Sequence, residues 1–331
     1  MKIANEYIIG NNLDLLKKLD SSYVDLIYID PPYCTGRDFY HFDDRFSSSQ
    51  DYRDHFMRPI LEECHRVLTD IGNIVVHVEP KISHHIRIVL DDIFGEKKFK
   101  NEIVWISGGN HKSFKQLQRN HDTIIVYQKG KNSIYNPEYK AYSHSDLNKA
   151  KTCSKTHRKY VTNALVNRQP NVVPRPNLRY EWNGNHLQWY VSKEKMQKLH
   201  DEDKLEYSSN TGIPRVKKYL DELDGVPVKD VWSDIKQIQG NEKLDYATQK
   251  PISLLNRIIT MFSNEQSIVL DPCAGSGTTG RSSIVNNRKY VLFDINIEGK
   301  LLFEKSIINL TPLHEKVCDS NPLMNAFECA T

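Results

Sequence analysis

The sequence of 331 residues lacks any long apolar segment. No run approaches the roughly 18 to 20 apolar residues that span a bilayer, and no secretory signal is present. Six scattered cysteines show no C-x-x-C pair and no histidines at zinc-ligand spacing: Cys34, Cys64, Cys153, Cys273, Cys318 and Cys329. We therefore expect no membrane partner, no disulfide framework and no metal site, and we predict a reducing, cytoplasmic location.

The chain also carries little net charge, formally +3, but that charge is uneven. Residues 131–179 contain ten Lys and Arg against two acidic residues, with tyrosines interleaved. A solvated basic surface and a surface that faces a polyanion both fit this pattern. The mean hydropathy of −0.59 is compatible with a buried core under a polar surface, and it excludes wholesale disorder.

Strand and helix patterns alternate near both ends of the chain. The first hundred residues predict strands at 3–9, 24–29 and 74–78 and helices at 13–19, 51–69 and 81–94. The later part predicts a helix at 251–263, a strand at 267–271, a helix up to 287 and a strand at 290–294. This order predicts an α/β fold with a parallel sheet covered by helices.

The alternation stops between about residues 107 and 245, where polar, basic and Pro/Asn-rich sequence replaces it. We predict that residues 1–106 and 246–331 are two halves of one domain. Residues 107–245 are then an inserted region.

A glycine-rich segment follows the predicted strand at 267–271. Gly275, Gly277 and Gly280 form a G-x-G-x-x-G pattern, and Asp294 ends the next strand. Glycines permit close approach of a nucleotide-like ligand, and an acidic residue in that place accepts hydrogen bonds from ribose hydroxyls. A dinucleotide dehydrogenase and a purely structural turn are alternatives. Because only 37 residues follow Asp294, we expect the remaining strands of the sheet to come from the first hundred residues.

A second motif, Asp30-Pro31-Pro32-Tyr33, directly follows the predicted strand at 24–29. Ligands of open α/β sheets bind at such carboxyl ends of strands. Two prolines stiffen the turn and remove two N–H donors, so carbonyl and carboxylate oxygens are left to face an amino group. Hydrogen bonds to Asp30 and to the Pro31 carbonyl would favour a pyramidal, nucleophilic nitrogen, and Tyr33 could stack on a flipped base. A merely rigid loop is the alternative.

The two motifs and their order resemble the amino-group DNA methyltransferases of the β arrangement. The run from Asp25 to Phe39 is especially similar to the modification subunits of type III restriction systems and their N6-adenine relatives. Similarity continues through Asn120-His-Asp-Thr-Ile-Ile-Val-Tyr and Thr248-Gln-Lys-Pro into the segment 269–280. The resemblance implies an α/β Rossmann-like methyltransferase fold with a mostly parallel sheet, circularly permuted motif order and an inserted target-recognition region.

The resemblance also implies the roles of individual residues. Catalysis falls to the tetrapeptide Asp30, Pro31, Pro32 and Tyr33. The implied contacts to S-adenosyl-L-methionine come from Asn11, Lys250, Asp271, Pro272, Cys273, Ala274, Gly275, Gly277 and Asp294. Three positions depart from the family pattern: Cys273 replaces Phe, Asn11 replaces Asp, and Tyr246-Ala247 replaces an aromatic-Pro pair.

The predicted reaction is transfer of a methyl group to N6 of a flipped adenine in double-stranded DNA. Cytosine-N4 methylation uses the same chemistry, although Asp30 in place of Ser favours adenine. A catalytically idle specificity subunit is a further alternative, whereas Cys273 is not expected to act as a covalent nucleophile. The resemblance points to a bacterial or phage origin, and it leaves a homodimer and a separate restriction subunit open as partners.

Overall fold

The computed structural model of the chain describes residues 1–34, 38–39, 42–43, 46–108, 117–169, 173, 175–308 and 310. Two compact units are present: residues 1–138 together with 229–331, and residues 139–228. None of the helices in the described part of the chain combines the length and the apolar character needed to cross a membrane.

The first unit contains an eight-stranded sheet. Its strands in chain order are β1 (Glu6–Ile9), β2 (Val24–Ile29), β3 (Leu68–Val78), β4 (Phe99–Trp105), β5 (Asp122–Gln128), β6 (Val231–Trp232), β7 (Ile268–Asp271) and β8 (Lys289–Asp294). Their order across the sheet is β1-β8-β7-β2-β3-β5-β4-β6. Only β5 runs antiparallel to its neighbours in this sheet, so the predicted mostly parallel α/β fold is confirmed.

Strands from the two ends of the chain pair in this sheet. Val269 of β7 pairs with Leu26 of β2, and Tyr7 of β1 pairs with Leu292 of β8. The central strands are apolar on both faces because helices cover both sides of a parallel sheet. Leu26, Val269 and Leu292 are accordingly fully buried.

Among the described residues of the first unit, five helices of seven residues or more connect these strands, and a sixth follows β8. They are α1 (Asn12–Lys18), α2 (Arg58–Val67), α3 (Pro80–Phe94), α4 (Ile252–Phe262), α5 (Thr278–Val285) and α6 (Ile297–Ile307). The predicted helix at 51–69 is interrupted, since a short turn at Ser49–Asp51 continues as a π-helix over Tyr52–Met57 before α2. Helix α3 ends at Gly95, whose φ of 90° takes the chain out of the helix.

The second unit has its own small core. Four antiparallel strands lie in the order Leu205–Tyr207, Pro214–Tyr219, Lys159–Ala164 and Lys151–Thr152, and a hairpin joins Arg179–Trp182 to Asn185–Gln188. Helices span His144–Lys149 and Lys193–Asp201. Trp189 and Met196 are fully buried among leucines, so Trp189 is a core residue. Trp182 packs partly buried against the same cluster.

This unit is shorter than the predicted insertion at 107–245. Strand β5 lies inside the predicted range, yet it pairs with β3 and β4 in the large sheet. Strand β6 also falls inside that range and pairs with β4. The long apolar stretch of β5 therefore belongs to the first unit, and the compact second unit covers 139–228.

Candidate active site

Two turns lie next to each other at the carboxyl ends of neighbouring strands. The proline turn, Asp30–Tyr33, follows β2, and the glycine turn, Asp271–Gly277, follows β7, which pairs with β2. Both line one cavity of about 310 Å³, a volume at the lower end of the range for small-molecule sites. Of the predicted catalytic and cofactor residues, all but Gly277 line this cavity.

The Asp30 carboxylate is held by two side chains. The Tyr33 hydroxyl donates to Oδ1, and the Lys250 ammonium donates to Oδ2. The side chains of Asp30 and Lys250 are only 15% and 14% exposed, so this ion pair is largely removed from water. Burial and the charge of Asp30 raise the pKa of Tyr33, which keeps its hydroxyl protonated as a donor.

Asp271 organises the glycine turn from within. Its Oδ1 accepts from the Cys273 amide at 3.0 Å, and its Oδ2 accepts from the Thr279 hydroxyl. The side chain is almost fully buried, and this burial raises the pKa of Asp271 to about 7. The two carboxylate oxygens of Asp271 therefore form hydrogen bonds that link the end of β7 to the start of α5.

Asp294 is fixed by backbone donors at the end of β8. Its Oδ2 accepts from the Gly275 amide at 2.8 Å, and its Oδ1 accepts from the Asn296 amide at 2.9 Å. Each carboxylate oxygen can accept more than one hydrogen bond. The carboxylate therefore lies at the cavity in a fixed orientation, which suits a partner with paired hydroxyl groups.

The glycines of the turn have different roles. Gly275 has a φ of 50°, and its carbonyl accepts from the Tyr7 hydroxyl at 2.6 Å. Gly277 has a φ of 75°, and a Cβ there would lie 2.5 Å from the Phe303 ring. Gly277 therefore allows the turn and the packing of α6, whereas Gly275 lies at the cavity itself.

The residues fit a cofactor that combines a nucleoside with charged groups. A carboxylate at a strand end beside a glycine turn is the arrangement that binds ribose. Asn11 also lines the cavity, while its Oδ1 caps α1 by accepting from the Asp14 amide at 3.2 Å. Cys273 accepts from Asn12 Nδ2 at 3.5 Å, and burial raises the pKa of its thiol, which disfavours a nucleophilic thiolate.

A buried polar chain beside the proline turn was not predicted. The Tyr28 hydroxyl lies 2.9 Å from His77 Nδ1, and His77 Nε2 lies 3.4 Å from Asp122 Oδ2. Tyr28 lines the cavity, and the His77 ring lies beside the Tyr33 ring at 6.3 Å between centroids. A histidine inside the apolar run of β3 was the available signal, because buried histidines require polar partners.

The fold is α/β, and two turns at the ends of neighbouring strands line one cavity. The chain belongs to the DNA methylase family, whose model matches residues 24–305. This assignment confirms a DNA methyltransferase with S-adenosyl-L-methionine as its cofactor.

Individual relatives agree with this assignment. Type II methyltransferase M.EcaI of Enterobacter cloacae is 28% identical over 95% of this chain and 72% of its own. DNA adenine methyltransferase YhdJ of Escherichia coli is 28% identical over 89% of this chain and 80% of its own. The StyLTI Mod subunit, from a type III restriction-modification enzyme of Salmonella typhimurium, is 27% identical over 86% of this chain and 50% of its own. The predicted likeness to type III modification subunits is thereby confirmed.

Among solved structures, PvuII DNA methyltransferase, described as cytosine-N4-specific, superposes with a TM-score of 0.51. The match covers 96% of this chain and 90% of the other at 14% sequence identity. At that identity the likeness supports the fold.

Proposed function

We propose that this chain methylates N6 of adenine in double-stranded DNA. The observation that carries the proposal is the proline turn, in which Asp30 and Tyr33 share one cavity with the glycine turn. An acidic first residue in this turn favours adenine over cytosine, and the name of the adenine methyltransferase YhdJ supports the same choice.

The residues of the proline turn would bind and activate the amine. The Asp30 carboxylate and the Pro31 carbonyl would accept hydrogen bonds from its two N–H groups, which concentrates the lone pair on nitrogen. The Tyr33 ring offers a stacking surface for a base that has left the duplex. When bound, the cofactor would supply an electrophilic methyl group, with S-adenosylhomocysteine as the leaving group and the displaced amine proton released to solvent. The protein would hold the amine in line with the methyl group. Orienting two reactants in this way lowers the activation barrier by several kcal/mol.

Residues of the predicted insertion at 107–245 would read the target sequence. Within it, the compact unit 139–228 carries sixteen Lys and Arg against ten Asp and Glu, a net charge of +6. Because the whole chain has only +3, the remaining residues sum to −3. Attraction to phosphates would therefore be concentrated in the second unit.

Expression in a host without DNA methylation, followed by mapping of modified bases across its genome, tests the proposal. We expect N6-methyladenine in one short sequence context. N4-methylcytosine would reverse the choice of base and retain the reaction. An unmodified genome, together with purified chain that binds DNA but not S-adenosyl-L-methionine, would support an idle specificity subunit.

The predicted homodimer and restriction subunit need separate tests. Light scattering of the purified chain with and without duplex DNA measures its oligomeric state directly. Affinity purification from the native host would identify a nuclease subunit.

A further inference from the structure

Lys250 occupies the position that the target amine needs. Its ammonium donates to Asp30 Oδ2, while Tyr33 donates to Oδ1, so both oxygens of the catalytic carboxylate are engaged by the protein itself. The same nitrogen lies 5.3 Å from the centroid of the Tyr33 ring. That distance is within the range of a cation–π contact. The ammonium therefore contacts the same two groups that would bind the amine and stack on the base.

The charges around the cavity indicate where else Lys250 can bind. Among the described residues that line it, Lys250 alone is a lysine or arginine, against the three carboxylates Asp30, Asp271 and Asp294. Asp271 accepts hydrogen bonds from its own strand-turn-helix segment, and Asp294 accepts hydrogen bonds from two backbone amides. A carboxylate brought in by the cofactor would find its cationic partner in Lys250.

We propose that Lys250 holds Asp30 until the cofactor binds, and that the base enters the cavity only after Lys250 has turned to the carboxylate of the cofactor. This inference rests on the proposed reaction, and it adds an order of binding. The lysine side chain has four rotatable bonds, so its ammonium can change partners without movement of the backbone. Lys250 is thus a positioning residue that couples cofactor binding to capture of the base.

The experiment uses the full chain and a duplex with 2-aminopurine at the target adenine, located beforehand by genome mapping. The fluorescence of 2-aminopurine rises when the base leaves the stack. We expect little rise with enzyme alone and a large rise when S-adenosylhomocysteine is added. We expect no comparable rise with methylthioadenosine, which lacks the amino-acid end of the cofactor and with it the carboxylate.

Lys250→Met should show the full fluorescence rise without any cofactor. Lys243→Met is the matched control, because Lys243 is exposed in the segment before α4 and does not line the cavity, and it should behave as wild type. Calorimetry gives an independent readout: Lys250→Met should bind S-adenosylhomocysteine about 10- to 100-fold more weakly and methylthioadenosine equally well. Lys250→Gln serves if the Met variant does not fold.

Two results would overturn the inference. One is a full rise for wild type without cofactor, and the other is a Lys250→Met variant that still requires S-adenosylhomocysteine. Failure of the proposed function is recognised separately, because it changes the methylated base. If the product is N4-methylcytosine, the same experiment uses pyrrolocytosine at the target cytosine, and the expected binding order is unchanged.

Discussion

The proline turn and the glycine turn line the same cavity, but different kinds of groups hold the acidic residue of each turn. Within the described part of the chain, Asp30 of the proline turn is bound by the side chains of Tyr33 and Lys250. Asp271 of the glycine turn is bound by the Cys273 amide and the Thr279 hydroxyl, both from its own strand-turn-helix segment. The proposed function therefore gives the acidic residue of one turn a chemical role, whereas the acidic residue of the other turn stabilises its own segment.

The largest effect is expected from Asp30→Ala, which tests the chemical half of this comparison. We expect the rate of methyl transfer to fall about 10³-fold, because the amine loses its charged acceptor. Cofactor affinity, measured by calorimetry, should remain close to that of wild type. Asp30→Asn keeps the shape and controls for folding. Retention of a comparable rate by both variants would remove Asp30 from the catalytic role.

Gly277→Ala tests the folding half. The new Cβ would lie 2.5 Å from the Phe303 ring at a φ of 75°, so we expect the free energy of unfolding to fall by about 2–4 kcal/mol. The control is Gly108→Ala in the same unit, where φ is 74° and, chain neighbours aside, no atom of the described residues lies within 4 Å of the new Cβ. Urea denaturation of both variants separates the steric cost from the backbone cost. Equal losses would show that packing against Phe303 contributes nothing.

Asp294→Ala sharpens the comparison by removing a carboxylate that is held by backbone yet faces the cavity. Affinity for S-adenosylhomocysteine should fall about 10- to 100-fold, as expected for loss of a charged hydrogen bond. The rate at saturating cofactor should change much less. Asp294→Asn, which keeps one carbonyl acceptor, should lie between the two. Unchanged affinity in the Ala variant would argue against the ribose contact.

Asp271→Asn is expected to have the smallest effect and to depend on pH. The folded chain raises the pKa of Asp271 to about 7, whereas an unfolded aspartate titrates near about 3.9. Between these values the folded chain holds a proton that the unfolded chain has lost, so this residue lowers stability as pH rises from about 4 to 7. The free energy of unfolding of wild type should therefore fall relative to that of the Asn variant between pH 4 and pH 8. Urea denaturation at both pH values measures this, and a difference independent of pH would contradict it.

Local patterns predicted the strands that carry the two motifs. Strand β2 has the bounds Val24–Ile29 that its apolar run indicated, and β7 and β8 differ from their predicted bounds by one residue. The antiparallel strand β5 was missed. An apolar run does not indicate whether a strand lies parallel or antiparallel to its neighbour. The partner strand β3 also ends 44 residues before β5, so the sequence around β5 does not identify it.

The motifs named residues that line the cavity, but they did not show which side chains from different segments contact each other. The contact between Asp30 and Tyr33 lies within a single turn, and both residues line the cavity. The hydrogen-bonded side chains of Tyr28, His77 and Asp122 come from three different strands. Such contacts depend on the register of the sheet, which a single sequence does not display.

The order of strands also has a consequence for synthesis on the ribosome. Strands β1 and β2 are close in sequence, but β8 and β7 lie between them in the sheet. Residue 268, where β7 begins, is translated 239 residues after Ile29, which corresponds to roughly 10–50 s at typical elongation rates. For that interval the nascent chain exposes the unpaired edge of β2, a surface on which chaperones can act.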